Sequence, residues 1–258
     1  MRILLTNDDG IAAPGLVALE AIANALSDDV WVIAPASEQS GVGHCINYAR
    51  PTMINQIGAK RYAIEGSPAD CVLVGLHDVM KDAPPDLILS GVNRGNNAGE
   101  NTLYSGTIGA CIEAALQGYN AIALSQFYGP DNVELDDPFA AAVTHGAQLI
   151  RDLCDKGIWT EDAYRVLYNV NFPPVPAENV KGHQVVAQGY RPNARFSVEP
   201  RTAPSGRRYS WIKGGMQQEQ TGPGTDVTAN LEGYISVTPM RVDLTAHDLL
   251  DDLKARLA

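Results

Sequence analysis

The most informative stretch of this chain is its first ten residues, which read Met1-Arg2-Ile3-Leu4-Leu5-Thr6-Asn7-Asp8-Asp9-Gly10. The apolar run that ends at Thr6 predicts a short buried strand. In an open α/β sheet, ligands bind beyond the carboxyl ends of the strands, and Asp8 and Asp9 fall at such an end. Two adjacent carboxylates repel each other, so an ionised pair requires a cation or a shared proton. Because hard divalent cations such as Mg²⁺ prefer carboxylate oxygens, the stretch predicts a metal site at Asp8 and Asp9.

An ordinary turn is the alternative interpretation of the same stretch. The sequence Asn-Asp-Asp-Gly suits a strand-to-helix turn, and aspartate is also a favoured helix cap. Taken alone, the stretch fits the turn about as well as it fits the metal site, so other residues have to separate the two.

Composition restricts the partners of the chain. Its 258 residues suit one large α/β domain, or a domain with a small appendage. A formal net charge of −11 and the lack of a basic cluster argue against binding to polymeric nucleic acid. A small anionic substrate is compatible with this charge, because a bound cation and a helix N-terminus can reverse the field locally.

The sequence also predicts a reduced cytoplasmic protein without a membrane segment. Its four cysteines form no Cys-x-x-Cys pair and match no zinc spacing; they are Cys45, Cys71, Cys111 and Cys154. No secretory signal pattern opens the chain, and no apolar run reaches about 18 residues.

Strand-like and helix-like segments alternate in the first half of the chain. Apolar runs predict strands, while apolar residues with a 3.6-residue period and capping residues predict helices. The predicted strands are 2–6, 30–34, 86–89 and 121–125, and the predicted helices are 14–26, one from Ser67-Pro68, 105–118 and 137–154. A polar loop is predicted at 90–97. This alternation predicts a mostly parallel sheet covered by helices on both faces.

The pattern changes beyond residue 165. Strands are predicted at 166–172, 183–188, 208–213 and 234–239, with Gly- and Pro-rich stretches at 190–207 and 214–226 and a short helix at 248–257. These features indicate β-hairpin arms. We therefore predict a catalytic core at 1–165, which later strands can complete, and a β-rich oligomerisation arm at 166–258.

Four short polar stretches each follow a predicted strand or open a predicted helix: 7–10, 40–41, 90–96 and 104–107. Parallel strands present their carboxyl ends together, so these stretches can converge at one edge of the sheet. Ser40 and the amide of Asn93 can add neutral oxygens to a cation held by the two aspartates. The free N–H groups at 105–107 form an anion site at a helix N-terminus. A cation beside an anion site predicts metal-assisted hydrolysis of a phosphate ester.

Each stretch also has a purely structural interpretation. Ser105 and Thr107 are common helix caps, and Gly-rich polar loops are frequently only turns. Their occurrence together at strand ends favours the functional interpretation. No P-loop, dinucleotide-binding or nucleophile-elbow motif occurs. For His247 we predict a local ion pair, with Asp243 four residues earlier or with Arg241, rather than direct catalysis.

With these stretches the chain resembles the SurE family, the survival-protein nucleotidases, over nearly its full length. The matching motifs are 4–10, Ala13-Pro14-Gly15, Ala34-Pro35 with Ser40-Gly41, Gly66-Ser67-Pro68-Ala69-Asp70-Cys71-Val72, 90–96, 104–107, Pro223-Gly224-Thr225-Asp226, 233–239 and 242–245. The resemblance implies a Rossmann-like α/β core with a β-rich extension that forms homodimers or homotetramers. It also implies metal-dependent dephosphorylation of nucleoside 5′- and 3′-monophosphates, with some activity on short polyphosphate.

The family's site residues carry over to this sequence by resemblance. One divalent metal per subunit, Mg²⁺ or Mn²⁺ with Ca²⁺ able to replace it in crystals, would be bound by Asp8, Asp9, Ser40 and Asn93. The residues on the phosphate side would be Asn96, Ser105, Gly106 and Thr107. We expect Asp8 to position or deprotonate a water, Asp9 to act chiefly as a ligand and Asn96 to stabilise developing charge.

Three positions depart from the family pattern, which has other residues where this chain has Ala36, Asn47 and Asn101. None of them removes a proposed metal ligand, so they bear on substrate preference. Two rival hypotheses stay open. One is an aspartyl-phosphate intermediate on an enzyme aspartate, and the other is a nucleotide-binding regulatory module without catalysis.

Overall fold

A computed structural model describes residues 1–161 and 164–258. Within those ranges a nine-stranded sheet lies between two layers of helices, and a separate two-stranded hairpin extends from it. This architecture confirms the predicted fold class, a three-layer α/β/α fold with a mostly parallel sheet and a β-hairpin extension in the C-terminal part.

The strands of the described chain are β1 Arg2–Thr6, β2 Asp29–Pro35, β3 Ile54–Gly58, β4 Arg61–Ile64, β5 Leu87–Arg94, β6 Ala121–Gln126, β7 Leu167–Phe172, β8 His183–Val185, β9 Ser197–Thr202, β10 Arg208–Lys213 and β11 Ile235–Met240. The main sheet has the order β3-β4-β2-β1-β5-β6-β7-β11-β8. Its neighbouring strands are parallel except for β3 with β4 and β7 with β11. β1 therefore occupies the interior of the sheet, between β2 and β5.

The helices are α1 Pro14–Asn24, α2 Pro68–Val74, α3 Gly106–Leu116, α4 Ala140–Lys156, α5 Asp226–Leu231 and α6 Leu250–Leu257. Successive side chains of a strand point to opposite faces, and β1 shows the consequence. Ile3 and Leu5 pack into the core on the side of α1 and α4, whereas Leu4 packs into the core on the side of α2 and α3. A continuous apolar run is thus required for a strand that is covered on both faces.

Helices α2 and α3 each begin at a serine that caps the helix N-terminus. Ser67 and Asp70 form a reciprocal capping box at α2, with Asp70 N donating to Ser67 Oγ at 3.1 Å and Ser67 N to Asp70 Oδ2 at 2.8 Å. Ser105 Oγ accepts from Ile108 N at 3.0 Å and caps α3. Both helices therefore begin where the sequence predicts.

Several predicted boundaries are wrong. The polar segment at 90–97 is not a loop throughout, because β5 continues to Arg94 and Asn93 and Arg94 pair with β6. The β3–β4 hairpin was not predicted, and its strand β3 is exposed along its length. Helix α4 begins at Ala140 instead of Asp137, and α1 ends at Asn24 instead of Leu26. Polar residues can be held in a strand by pairing with a neighbour, which local sequence does not reveal.

Three strands from beyond residue 165 join the main sheet: β7, β8 and β11. β9 and β10 pair only with each other, as an antiparallel hairpin. The predicted strand at 183–188 ends at Val185, and α5 interrupts the region after the second Gly- and Pro-rich stretch. None of the helices in the described ranges has the length and apolar character needed to span a membrane.

Candidate active site

The two aspartates stand at the carboxyl end of β1, where the chain leaves the sheet. Asn7 closes a tight turn there, because its Nδ2 donates to the Gly10 carbonyl at 2.9 Å and its Oδ1 accepts from Gly10 N at 3.2 Å. Asp8 is buried and Asp9 is half-buried. The predicted turn is therefore present, and the same turn holds adjacent carboxylates at the edge of the sheet.

Asp8 is a buried carboxyl that contacts the start of α3. Asp8 is 4% exposed, and its Oδ1 accepts a hydrogen bond from the hydroxyl of Thr107 at 2.6 Å. Burial, supported by the charge of Asp9 and opposed by the Thr107 hydrogen bond, raises the pKa of Asp8 from 3.8 to about 6. A carboxyl group that titrates near neutral pH suits proton exchange with a reacting group.

The first residue of helix α3, Gly106, lies in close contact with Asp8. A Cβ atom at position 106 would lie 2.8 Å from the Cβ of Asp8, so Gly106 is the residue that permits this contact. The first N–H groups of a helix lack partners within the helix, and together they attract anions. The three predicted phosphate-side residues Ser105, Gly106 and Thr107 thus lie beside the Asp8 carboxylate.

Asp9 is held by the last residues of β5. Its Oδ2 accepts from the backbone N–H of Arg94 at 3.1 Å. Burial raises the pKa of Asp9, while the hydrogen bond and the charge of Arg94 lower it. On the other side, the backbone N–H of Gln39 donates to the Asp8 carbonyl at 2.7 Å. The loop after β2 and the end of β5 therefore both meet the aspartate pair.

Ser40 and Asn93 are the predicted neutral ligands. Each is adjacent in sequence to a residue whose backbone N–H donates to Asp8 or Asp9. Ser40 follows Gln39 and is exposed, and its hydroxyl donates to Glu38 Oε1 at 2.9 Å rather than to an aspartate. Asn93 precedes Arg94, and its Nδ2 donates to the Gly95 carbonyl at 3.0 Å. This hydrogen bond uses the NH₂ group of Asn93 and leaves its amide oxygen as the available ligand atom.

The donor set fits a hard divalent cation. Asp8 and Asp9 supply carboxylate oxygens, and burial raises the pKa of both groups, which a cation would relieve. Within residues 1–161 and 164–258, no three His, Cys, Asp or Glu side chains come together as metal ligands. A cation here would therefore complete its shell with neutral oxygens and water, as Mg²⁺ commonly does.

The side chain of Asn96 is hydrogen-bonded to a different group of residues from those that contact the aspartates. It is buried, and its side chain bonds to Asn101, Arg191 and Gln217. Sequence analysis missed Arg191 and Gln217, which are about a hundred residues away from Asn96 and belong to no motif. It also missed the backbone contacts of Gln39 and Arg94. The Gly- and Pro-rich sequence around Arg191 and Gln217 gives no indication that they contact Asn96.

A cleft of about 410 Å³ opens beside Asp9. Its lining residues are Asp9, Gly10, Ile11, Ala12, Ala13, Pro14, Gly15, Ala36, Ser37, Glu38, Arg94, Tyr128 and Phe139. The rings of Tyr128 and Phe139 meet edge to face with their centroids 5.8 Å apart. Arg94 and Glu38 form an exposed ion pair at 3.6 Å. A volume of roughly 300–1,000 Å³ with apolar walls and a few polar groups is typical of small-molecule sites.

Two other features lie away from the aspartates. His247 Nε2 is 2.6 Å from Asp243 Oδ2, which confirms the predicted local pair near the C-terminal helix. A groove of about 650 Å³ between α4 and β11 contains none of the predicted site residues. The chemistry that the sequence predicts is thus confined to the carboxyl edge of β1 and β5 and the start of α3.

The fold and the site define a Rossmann-like α/β protein with a carboxylate pair and a helix N-terminus at the carboxyl edge of its sheet. The family model described as Survival protein SurE matches residues 3–195. The chain belongs to the SurE family, as its motifs predict.

Relatives of the chain carry a common name. A protein of Ruegeria pomeroyi named 5′-nucleotidase SurE is 63% identical over 260 aligned positions, which cover 100% of each chain. A protein of Cereibacter sphaeroides with the same name is 61% identical over 258 residues, 99% of each chain. The crystal structure of the SurE protein from Aquifex aeolicus matches with a TM-score of 0.83 and 34% identity over 100% of both chains.

Proposed function

We propose that this protein is a metal-dependent 5′-nucleotidase that hydrolyses nucleoside monophosphates to nucleoside and phosphate. The name of the relatives at 61–63% identity supports this activity. The observation that carries the proposal is the buried Asp8 carboxylate, hydrogen-bonded to Thr107 at the start of α3. In this proposal a cation site and an anion site adjoin at this point, an arrangement suited to metal-assisted hydrolysis of a phosphate ester.

The cation would be held by Asp8, Asp9, Ser40 and Asn93, with Mg²⁺ or Mn²⁺ as its identity. When bound, it supplies a Lewis acid for the phosphoryl oxygens and lowers the pKa of a bound water. The Ser40 hydroxyl donates its hydrogen to Glu38 Oε1, which leaves the lone pairs of Ser40 Oγ available to the cation. Asp9 serves chiefly as a ligand.

The residues of the chain have distinct roles in this proposal. Asp8 orients the attacking water and accepts its proton. The N–H groups at Gly106 and Thr107 bind phosphoryl oxygens and stabilise the charge that develops on them. Asn96 donates to the same group. The nucleoside occupies the cleft beside Asp9, where the rings of Tyr128 and Phe139 provide an apolar wall.

Phosphate release from nucleoside 5′- and 3′-monophosphates and from short polyphosphate is the experiment that tests the proposal. The protein is first stripped with chelator and then given Mg²⁺, Mn²⁺, Ca²⁺ or no metal. We expect release only with metal, and loss of about 10³-fold in kcat for Asp8→Asn because base and ligand are both impaired. Circular dichroism and thermal unfolding of the variant provide the folding control.

Each alternative predicts a different outcome. Near-normal activity of folded Asp8→Asn would contradict the role of this residue. A phosphoenzyme trapped during turnover would favour a covalent aspartyl phosphate instead. Tight nucleotide binding with no phosphate release under any metal would identify a regulatory module.

We also propose a homodimer or homotetramer in which the β9–β10 hairpin contacts another subunit. Apolar side chains on this hairpin are exposed, among them Val198, Trp211 and Ile212. Exposed apolar patches of this kind mark interaction surfaces. A cytoplasmic location is proposed as well, since all four cysteines are free thiols, which is typical of a reducing compartment.

A further inference from the structure

Arg191 is a fully buried cation at the foot of the hairpin arm. It is 0% exposed, and its Nε donates to Glu100 Oε1 at 2.8 Å. Its Nη2 donates to the Ala98 carbonyl at 2.9 Å, and its Nη1 donates to the Gln217 carbonyl at the same distance. Arginine stays charged in proteins, and a buried charge costs free energy unless it is paired and hydrogen-bonded. These contacts satisfy that requirement with the loop that follows β5.

The same guanidinium reaches the side chain of Asn96. Asn96 Oδ1 accepts from Asn101 Nδ2 at 3.1 Å, from Ala98 N at 3.3 Å and from Arg191 Nη1 at 3.4 Å. Asn96 Nδ2 donates one hydrogen to Gln217 Oε1 at 3.3 Å. A carboxamide has two N–H donors, so one N–H of Asn96 is left for a ligand. The oxygen end is surrounded by donors, which disfavours the flipped amide.

Gln217 is the hub that joins these groups. Its Oε1 accepts from Asn101 Nδ2 at 2.7 Å, from Arg191 Nη1 at 3.2 Å and from Asn96. Its own Nε2 donates to the Gly215 carbonyl at 3.2 Å, which fixes the orientation of its amide. Loss of the Gln217 oxygen would therefore remove an acceptor that Asn96 and Asn101 share.

A second set of hydrogen bonds, made by the first residue of α5, holds the loop that follows β5. The carboxylate of buried Asp226 accepts from Gly99 N and from Gly189 N, both at 2.8 Å. The ring of Tyr104, next to the cap of α3, packs edge to face on Phe196 of the arm at 4.9 Å. The segment from Asn96 to the start of α3 is therefore attached to the C-terminal part at several points.

We propose that Gln217 and Arg191 are positioning residues that hold the Asn96 amide with one N–H directed to the substrate phosphate. The proposal rests on the proposed function, because it assigns Asn96 a phosphoryl oxygen. A misplacement of a substrate-contacting group by about 1 Å can cost up to ~100-fold in rate. The C-terminal arm would in this way determine the activity of a site to which it contributes no reacting group.

Kinetics of matched glutamine variants test the proposal with the full-length protein and Mg²⁺. We expect Gln217→Leu to lower kcat about 10-fold on adenosine 5′-monophosphate, because the acceptor for both asparagines is lost. Gln217→Glu keeps the acceptor and should restore kcat, but its negative charge should raise KM for the phosphate. Gln220→Leu, an exposed glutamine on the same segment, serves as the control and should match wild type.

A double-mutant cycle separates positioning from a structural role. If Gln217 acts through Asn96, Gln217→Leu should have little further effect on kcat in an Asn96→Ala background. Additive losses in the cycle would overturn the proposal. So would a Gln217→Leu protein that melts at a lower temperature yet keeps the wild-type kcat.

Nucleotide affinity keeps the inference testable if the proposed function fails. A wild type that releases no phosphate contradicts the nucleotidase, and calorimetric titration with adenosine 5′-monophosphate then replaces kcat. We expect about 10-fold weaker binding by Gln217→Leu, with the same non-additivity against Asn96→Ala. Equal affinities of wild type and Gln217→Leu would overturn the positioning role.

Discussion

At the residue scale, the chemistry of the site depends on what surrounds one carboxyl group. Asp8 and Asp9 are adjacent in sequence, yet Asp8 is buried against α3 and Asp9 is half-buried against the end of β5. The two groups are therefore suited to different roles, although the same residue type occupies both positions. Adjacent aspartates can divide base and ligand functions only through such a difference in environment.

The raised pKa of Asp8 predicts how stability depends on pH in metal-free protein. Between about pH 4 and 6 the folded state binds more protons at Asp8 than the unfolded state, so this residue's contribution falls as pH rises. A shift from 3.8 to about 6 corresponds to roughly 3 kcal/mol. Compared with wild type, Asp8→Asn should therefore gain stability progressively from pH 4 to pH 7. Urea unfolding of both proteins in chelator measures the difference.

Metal provides the control for this pH experiment. Saturating Mg²⁺ should stabilise the wild type near pH 7 but not Asp8→Asn, because a ligand that binds the folded state raises its stability. A stability difference between the two proteins that does not change from pH 4 to pH 7 would contradict the raised pKa.

At the element scale, the site depends on the close approach of α3 to the end of β1. Alanine normally favours a helix over glycine by about 1 kcal/mol. At position 106 we expect the opposite, because the new Cβ would meet the Cβ of Asp8 at 2.8 Å and push the helix away. Gly106→Ala should cost about 1–3 kcal/mol of stability and at least 10-fold in kcat. Denaturant unfolding and phosphate release measure the two effects.

Gly222→Ala is the matched control for that variant. Gly222 is exposed, and a Cβ built there meets no atom within 4 Å. Its substitution should leave both stability and kcat near those of wild type. Wild-type kcat in Gly106→Ala would show that the contact between α3 and Asp8 is not needed for turnover.

At the scale of the whole molecule, the hairpin exposes a surface that one subunit does not bury. Trp211 is 62% exposed and Ile212 is 74% exposed, and both lie on a hairpin that pairs with no strand of the main sheet. These consecutive residues of β10 point to opposite faces of the hairpin, so replacing both with serine should reduce the apolar surface available to a second subunit on either face. We expect the Trp211→Ser, Ile212→Ser protein to have a lower mass than wild type in size-exclusion chromatography with light scattering.

Arg208→Ser on the same hairpin is the control, because it removes an exposed charge and leaves the apolar surface unchanged. An unchanged mass for the double variant would contradict assembly through the hairpin. A monomeric wild type would do so as well. Far-UV circular dichroism of the double variant should match wild type, since the hairpin pairs with no strand of the main sheet.

Local sequence signals were sufficient to predict the main elements of the core and the residues of the candidate site. The apolar run at 2–6, the capping residues Ser67 and Ser105, and the paired aspartates are local signals, and each lies where it was predicted. Such signals are readable because propensity, capping and turn chemistry act over a few residues. The family followed from the same motifs, because their order and spacing are specific.

Which of these residues meet depends on contacts between distant parts of the chain. The hydrogen bond between Thr107 and Asp8 joins residues 99 positions apart, and Arg191 reaches Asn96 across 95 positions. The extension of β5 through a polar segment likewise depends on its neighbour β6. Contacts of this kind arise when the sheet brings strand ends together and buried polar groups have to find partners. Local sequence does not indicate which distant residues will pair. The burial of Asp8 and the hydrogen bonds that hold Asn96 could therefore be identified only from the folded structure.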